Sequence, residues 1–98
     1  MTKTTFKKIN RFIIEAGLGD EEILLADGFE DAFIGISRTF NTHTALYDYD
    51  KCVGILMKRD KMEWEEAEEY MHYNVLGAYV GENTPTFLML TRKSERRR

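Results

Sequence analysis

Residues 32–48 have the sequence AFIGISRTFNTHTALYD, and this stretch decides the fold. β-Branched and aromatic residues dominate its first nine positions, three polar residues follow, and a second apolar run comes after them. This pattern predicts a β-hairpin over residues 32–47. Gly35 interrupts the first strand, which indicates either a bulge or a place where a helix packs closely.

Two helices and a strand are predicted after the hairpin. Asp48 is a favourable N-cap for a helix over residues 49–59, whose apolar positions recur with helical spacing. A third helix is predicted over residues 64–80, because its apolar side chains follow a spacing of 3, 4, 4 and 3. Gly81 is expected to end this helix, and Pro85 to open a short last strand.

The segment before the hairpin begins with a helix over residues 5–16. Gly17 is expected to end it in the left-handed conformation. Residues 20–26 fit either a short helix, because acidic residues begin the segment, or a short buried strand, because an apolar run ends it. Asp27 and Gly28 then mark a turn.

These elements predict an α+β fold in which a small antiparallel sheet packs against about three helices. The hairpin and the C-terminal strand form the sheet, and the last strand pairs with one arm of the hairpin. A single domain is expected over residues 1–91, followed by a flexible basic tail over residues 92–98.

The composition excludes several classes of protein. The chain has 98 residues, 43% hydrophobic and 32% charged, which is too apolar for a disordered chain and too interrupted by charge for a membrane protein. Cys52 is the only cysteine, so no intramolecular disulfide can form and a cytoplasmic location is expected. No phosphate loop or activated serine is evident, which predicts a non-enzymatic protein without a cofactor. The many aromatic residues suggest a homodimer, which would bury an excess over what the core needs.

Charge is distributed unevenly along the chain. Residues 1–11 carry a net charge of +4, residues 12–91 carry −11, and residues 92–98 carry +4. The basic ends allow an alternative function in nucleic-acid binding, since phosphate contacts need only positive charge. Against it, the acidic middle repels a polyanion, and basic ends also serve to neutralise an acidic body. The residues for this alternative are Lys3, Lys7, Lys8, Arg96, Arg97 and Arg98.

A second alternative is a metal or ligand site near the turn. Asp27, Glu30 and Asp31 place three carboxylates within five residues, and oxygen ligands suit Mg²⁺ or Ca²⁺. The signal is weak because the further ligands of an EF-hand loop are missing. The competing interpretation is that Asp27 orders the turn and the other acids are solvated.

The third helix supplies the favoured function, which is protein binding. Glutamates cluster in its first turns, and tyrosines lie on the same helix away from its apolar stripe. Acids at a helix N-terminus also oppose the helix dipole, which explains part of the cluster without any partner. Tyrosines beside acids are nevertheless suitable interface material. The candidate residues are Glu65, Glu66, Glu69, Tyr70 and Tyr73.

Five segments carry a family resemblance: DGFEDAFIGI at 27–36, YDYDKC at 47–52, ILMKRD at 55–60, EEAEEY at 65–70 and NVLGAYVGENTP at 74–85. Together they resemble a family of small, mostly uncharacterised proteins of bacteriophages and bacteria. The resemblance covers about residues 22–90 and implies a phage-type accessory protein that binds a host or phage macromolecule.

Two positions depart from that family's pattern. Lys61 stands where the family usually has glycine, and it would be strained if the position requires a positive φ. Glu63 stands where serine or threonine is usual, and it is a poorer N-cap. Both departures concern the turn between the second and third helices.

Overall fold

The computed structural model describes residues 3–78 and 81–90 and shows an α+β fold. Three α-helices accompany a three-stranded sheet in the described part of the chain. The predicted tail over residues 92–98 lies outside the described residues. In chain order the elements are α1 (Lys3–Glu15), a short 3₁₀ helix (Glu30–Ala32), β1 (Phe33–Thr39), β2 (Thr42–Asp48), α2 (Tyr49–Arg59), α3 (Trp64–Tyr70), a π-helix (Met71–Leu76) and β3 (Thr86–Leu88).

The predicted hairpin is present as β1 and β2. These strands pair antiparallel, and Thr39 lies opposite Thr42 across a two-residue turn. The register shifts between Phe33 and Gly35, so Gly35 marks a bulge, which is one of the two roles predicted for it. Gly35 has a φ of 154°, which side chains rarely allow and glycine adopts freely.

The sheet is mixed, so the prediction of a purely antiparallel sheet is wrong. β3 pairs with β2, one arm of the hairpin, but it runs parallel to that arm. The strand order is β1-β2-β3. The chain leaves β2 at its C-terminal end, and the helices return it to the other end of the sheet before β3 begins. Such a crossover of a dozen or more residues is what a parallel strand pair requires.

The core is built around Tyr47 on the central strand. Its ring is fully buried, edge-on to Phe33 at 5.7 Å and stacked on Phe87 at 5.6 Å between centroids. One aromatic from each strand therefore meets at the centre of the sheet. Leu56 of α2 and Met71 of the π-helix are fully buried in the same core cluster.

The bounds of helices α1 and α2 are close to those predicted from the sequence. α1 begins two residues earlier than predicted and ends at Glu15, and Gly17 follows with a φ of 82°. α2 spans the predicted range. Its N-cap is Asp48, whose Oδ1 accepts a hydrogen bond of 3.2 Å from the amide N–H of Lys51. This bond satisfies one of the free amides of the first turn.

The third helix is shorter than predicted and changes type. α3 ends at Tyr70, a π-helix continues to Leu76, and Gly77 follows it, so Gly81 does not end the helix. The i to i+5 bonding of a π-helix widens the turn. Val75 and Leu76 of this π-helix both pack against the core.

The ambiguous segment over residues 20–26 is neither helix nor strand. It crosses the core as an irregular segment, and Ile23, Leu25 and Ala26 pack against the buried residues. The amide of Ala26 donates a 2.8 Å hydrogen bond to the hydroxyl of Tyr47. The segment is thus held to the sheet by side-chain packing and this bond, not by a strand ladder.

Candidate functional site

The outward side of α3 carries the predicted acidic cluster. Ala67 and Met71 face inward and are fully buried. Glu65, Glu66 and Glu69, at intervening positions of the helix, are exposed. We call this region the acidic surface; its members are Trp64, Glu65, Glu66, Glu69 and Tyr73.

Two aromatic side chains lie within the acidic surface. Tyr73 is 70% exposed and Trp64 is 38% exposed. The ring of His72 stands edge-on to that of Tyr73, with 5.1 Å between centroids and 89° between planes. Aromatic rings that are held by a helix and left exposed bring large contact areas to an interface at low entropic cost.

The glutamates of the acidic surface have no partners within the described residues. Glu65, Glu66 and Glu69 form no ion pair or hydrogen bond with any of them. Glu68 differs, because its Oε2 accepts a 3.3 Å hydrogen bond from the hydroxyl of Tyr49. Burial and the Glu68 carboxylate raise the pKa of Tyr49 to about 12, so this hydroxyl keeps its proton and remains a donor. The glutamates therefore divide into one structural residue and three that are free to meet a partner.

Tyr70 does not belong with the other predicted residues. It lines a separate cleft of about 390 Å³ together with Leu24, Phe29 and Asn74. Tyr73, three residues later, lines the acidic surface and not this cleft. The structure thus brings together Glu65, Glu66, Glu69 and Tyr73 and excludes Tyr70 from the set.

The carboxylates near the turn do not converge. Among the described residues, no group of three Asp, Glu, His or Cys side chains is arranged to hold a metal ion. Asp31 accepts a long hydrogen bond of 3.4 Å from Thr5, and Glu30 Oε2 accepts one of 3.2 Å from the amide of Gly28. Asp27 is exposed in the turn. The geometry therefore gives no support to the weak metal hypothesis for Asp27, Glu30 and Asp31.

The predicted basic residues divide between described and undescribed parts of the chain. Lys7, Lys8 and Arg11 are exposed on α1, opposite the buried Ile9 and Ile13. The side chain of Lys3 and the residues Arg96, Arg97 and Arg98 lie outside the described part. A basic helix face is therefore present, without a described contribution from the C-terminal end.

Arg59 has a structural role that the sequence did not indicate. From the last turn of α2, its Nη1 donates a 2.7 Å hydrogen bond to the carbonyl oxygen of Gly28, and its guanidinium lies 5.7 Å from the centroid of the Phe29 ring. Two further bonds join it to the Asp60 carboxylate. Arg59 thus ties the Asp27–Gly28 turn to α2.

Cys52 is not suited to nucleophilic chemistry. It is fully buried, and this burial raises the pKa of its thiol to about 12. The thiolate is the reactive form, so a thiol with this pKa is inert near neutral pH. The side chain packs as a small hydrophobic residue in the core.

No helix in the described part of the chain is long and apolar enough to cross a membrane. No family model, curated protein or solved structure matches the chain. The phage-family resemblance therefore remains a prediction.

Proposed function

We propose that this chain is a non-catalytic binding protein whose acidic surface docks on a basic, partly apolar surface of a partner protein. The observation that carries the proposal is the set of three glutamates without partners around two exposed aromatic rings. Charge complementarity would steer the encounter and set its orientation, and Tyr73 and Trp64 would supply the buried contact area.

The construction of the helix supports this role. A π-helix is rare and occurs frequently at functional sites. Here it begins within the acidic surface and carries Tyr73, while Val75 and Leu76 hold its other side against the core. The exposed ring is thus carried by a helix that packs against the core, which lowers the entropy lost when a partner binds.

The family resemblance extends the proposal to the biological setting. A phage-type accessory protein of this size would bind a host or phage protein in the host cytoplasm. The single cysteine, buried and free, suits a reducing compartment of that kind.

The test compares capture of a partner by two variants. The first carries Glu65→Gln, Glu66→Gln, Glu69→Gln and Tyr73→Ala. A protein captured from cells by the wild-type chain should then bind this variant at least about 30-fold more weakly in a titration, because loss of one aromatic anchor alone costs about 2 kcal/mol.

A matched control removes the same charge elsewhere through Asp20→Asn, Glu22→Gln and Glu82→Gln, all at exposed positions. The control should retain wild-type affinity, and circular dichroism should show both variants folded. Equal affinity of the wild-type chain and the acidic-surface variant would refute the proposal.

A further inference from the structure

Helix α1 presents a basic stripe on its outward side. Lys7, Arg11 and Ile14 are separated by 4 and 3 residues, so they align on one face, away from the buried Ile9 and Ile13. Ile14 is 65% exposed. Neither cation of the stripe has an ion-pair partner among the described residues.

The acidic surface contains a stripe of the same design. Glu65, Glu69 and Tyr73 are each separated by 4 residues along α3 and the start of the π-helix. At about 1.5 Å of rise per residue, the three members span about 12 Å, against about 10.5 Å for the basic stripe. Each stripe therefore carries two like charges followed by one exposed apolar side chain, at nearly equal spacing.

The two stripes match when the helices run parallel. Lys7 then faces Glu65, Arg11 faces Glu69, and the apolar Ile14 meets the Tyr73 ring. The reverse direction would place Ile14 against a carboxylate and Tyr73 against an ammonium group. Opposite charges at close range favour one orientation over the other, which is how interfaces fix their register.

We infer that the partner of the acidic surface is a second copy of this chain, which supplies α1; this inference rests on the proposed function. Each copy has one stripe of each kind, so in a two-fold dimer each copy would give its α1 to the acidic surface of the other. Such a dimer would contain two of these helix pairs, and it would leave no stripe free to bind a further copy.

The first experiment measures mass in solution by sedimentation at about 50 mM and about 500 mM salt. The wild-type chain should have the dimer mass at low salt and shift toward monomer at high salt, because screening weakens exposed charge pairs. A monomer mass at low salt, at every concentration up to the solubility limit, would overturn the inference.

The second experiment exchanges the charges. The variant Lys7→Glu, Arg11→Glu and the variant Glu65→Lys, Glu69→Lys should each be monomeric, since each brings like charges together. Mixed in equal amounts they should recover the dimer mass, because both contacts in the mixed pair again join opposite charges. Failure of the mixture to associate would also overturn the inference.

Two further sets of variants keep the result interpretable. Lysine at position 65, in the first turn of α3, opposes the helix dipole and could prevent folding. If the double variants do not fold, the single variants Arg11→Glu and Glu69→Lys are mixed instead. Lys51→Glu, Lys58→Glu matches the charge change of the first variant at exposed positions of α2. It should remain dimeric, and its dissociation would contradict the assignment of the contact to α1.

The outcomes separate the inference from the proposed function. A monomeric wild-type chain whose captured partner is still lost on changing the acidic surface leaves the proposed function standing and refutes the dimer. Binding of a DNA duplex that is lost in Lys7→Glu, Arg11→Glu without any change in mass would assign α1 to nucleic acid and also refute it.

Discussion

Phe40 adopts a backbone conformation that its side chain disfavours. It occupies the first position of the hairpin turn with a φ of 54°, a region that bulky side chains avoid. Its ring is 91% exposed, so no packing within the described chain compensates for the strain. The Nε of Arg38 donates a 3.0 Å hydrogen bond to the Phe40 carbonyl oxygen, which holds the turn in place.

Phe40→Gly should therefore raise the free energy of unfolding by roughly 0.5–1 kcal/mol. Left-handed backbone costs an ordinary residue about 1–2 kcal/mol, and glycine recovers this minus its own loss of chain entropy. Urea unfolding measures the change. Phe40→Ala is the control, because it removes the ring but keeps the Cβ atom, and it should not stabilise the protein. Equal stability of the two variants would argue against strain at this position.

Lys61 is strained in the same way, and the sequence pattern already points to this position. Its φ is 61°, where the resembled family usually has glycine. The conditional expectation of strain at Lys61 is thus met by the structure. Phe40 was not found in this way, because the sequence pattern placed it at the end of the first strand, whereas the turn consists of residues 40 and 41.

At the scale of elements, the start of α3 is weakly capped. Glu63 has the extended backbone of an N-cap, with φ −71° and ψ 160°, but its side chain makes no capping hydrogen bond. Asp48 at the start of α2 makes one. The sequence indicated both results, because capping depends on a single side chain and the three amides that follow it.

Glu63→Ser should raise the free energy of unfolding by about 1 kcal/mol, because a serine hydroxyl accepts from the free amides of the first turn. Thermal or urea unfolding gives the value. Glu22→Ser, at an exposed position outside any helix, is the control and should leave stability unchanged. A loss of stability in Glu63→Ser would mean that the glutamate charge near the helix N-terminus outweighs the missing cap.

At the scale of the whole molecule, two buried side chains of the core keep their protons to a higher pH than they would in the unfolded chain. Burial raises the pKa of Tyr47 to about 12 and that of Cys52 to about 12. Their values in an unfolded chain are 10.0 and 9.0. As pH rises above 9, the unfolded thiol loses its proton while the folded thiol keeps it, so the equilibrium shifts toward the unfolded state.

The free energy of unfolding should thus begin to fall near pH 9 and decrease progressively toward pH 12. Each group that titrates only in the unfolded chain contributes a slope of roughly 1 kcal/mol per pH unit. Urea unfolding at a series of pH values measures this slope. Cys52→Ala should reduce it from pH 9 upward, whereas Tyr73→Phe, at an exposed tyrosine, should leave it unchanged. A stability independent of pH between about 9 and 11 would contradict the burial of these groups.

Sequence by itself determined the local features of this protein: the hairpin, the extent of α2 with its Asp48 cap, and the acidic cluster on α3. These features depend on hydrogen bonds and steric limits between residues close in the chain, which a pattern of residue types expresses directly.

Only the tertiary structure decided the direction of β3, the π-helix and the membership of the acidic surface. The direction of β3 depends on where the helices return the chain, and the regular apolar spacing of residues 64–80 did not indicate the change to a π-helix at Met71. Tyr70 and Tyr73 are the same residue type on one helical segment, but packing places Tyr70 in a cleft and Tyr73 beside the glutamates. These outcomes arise from contacts between distant segments, which no local pattern specifies.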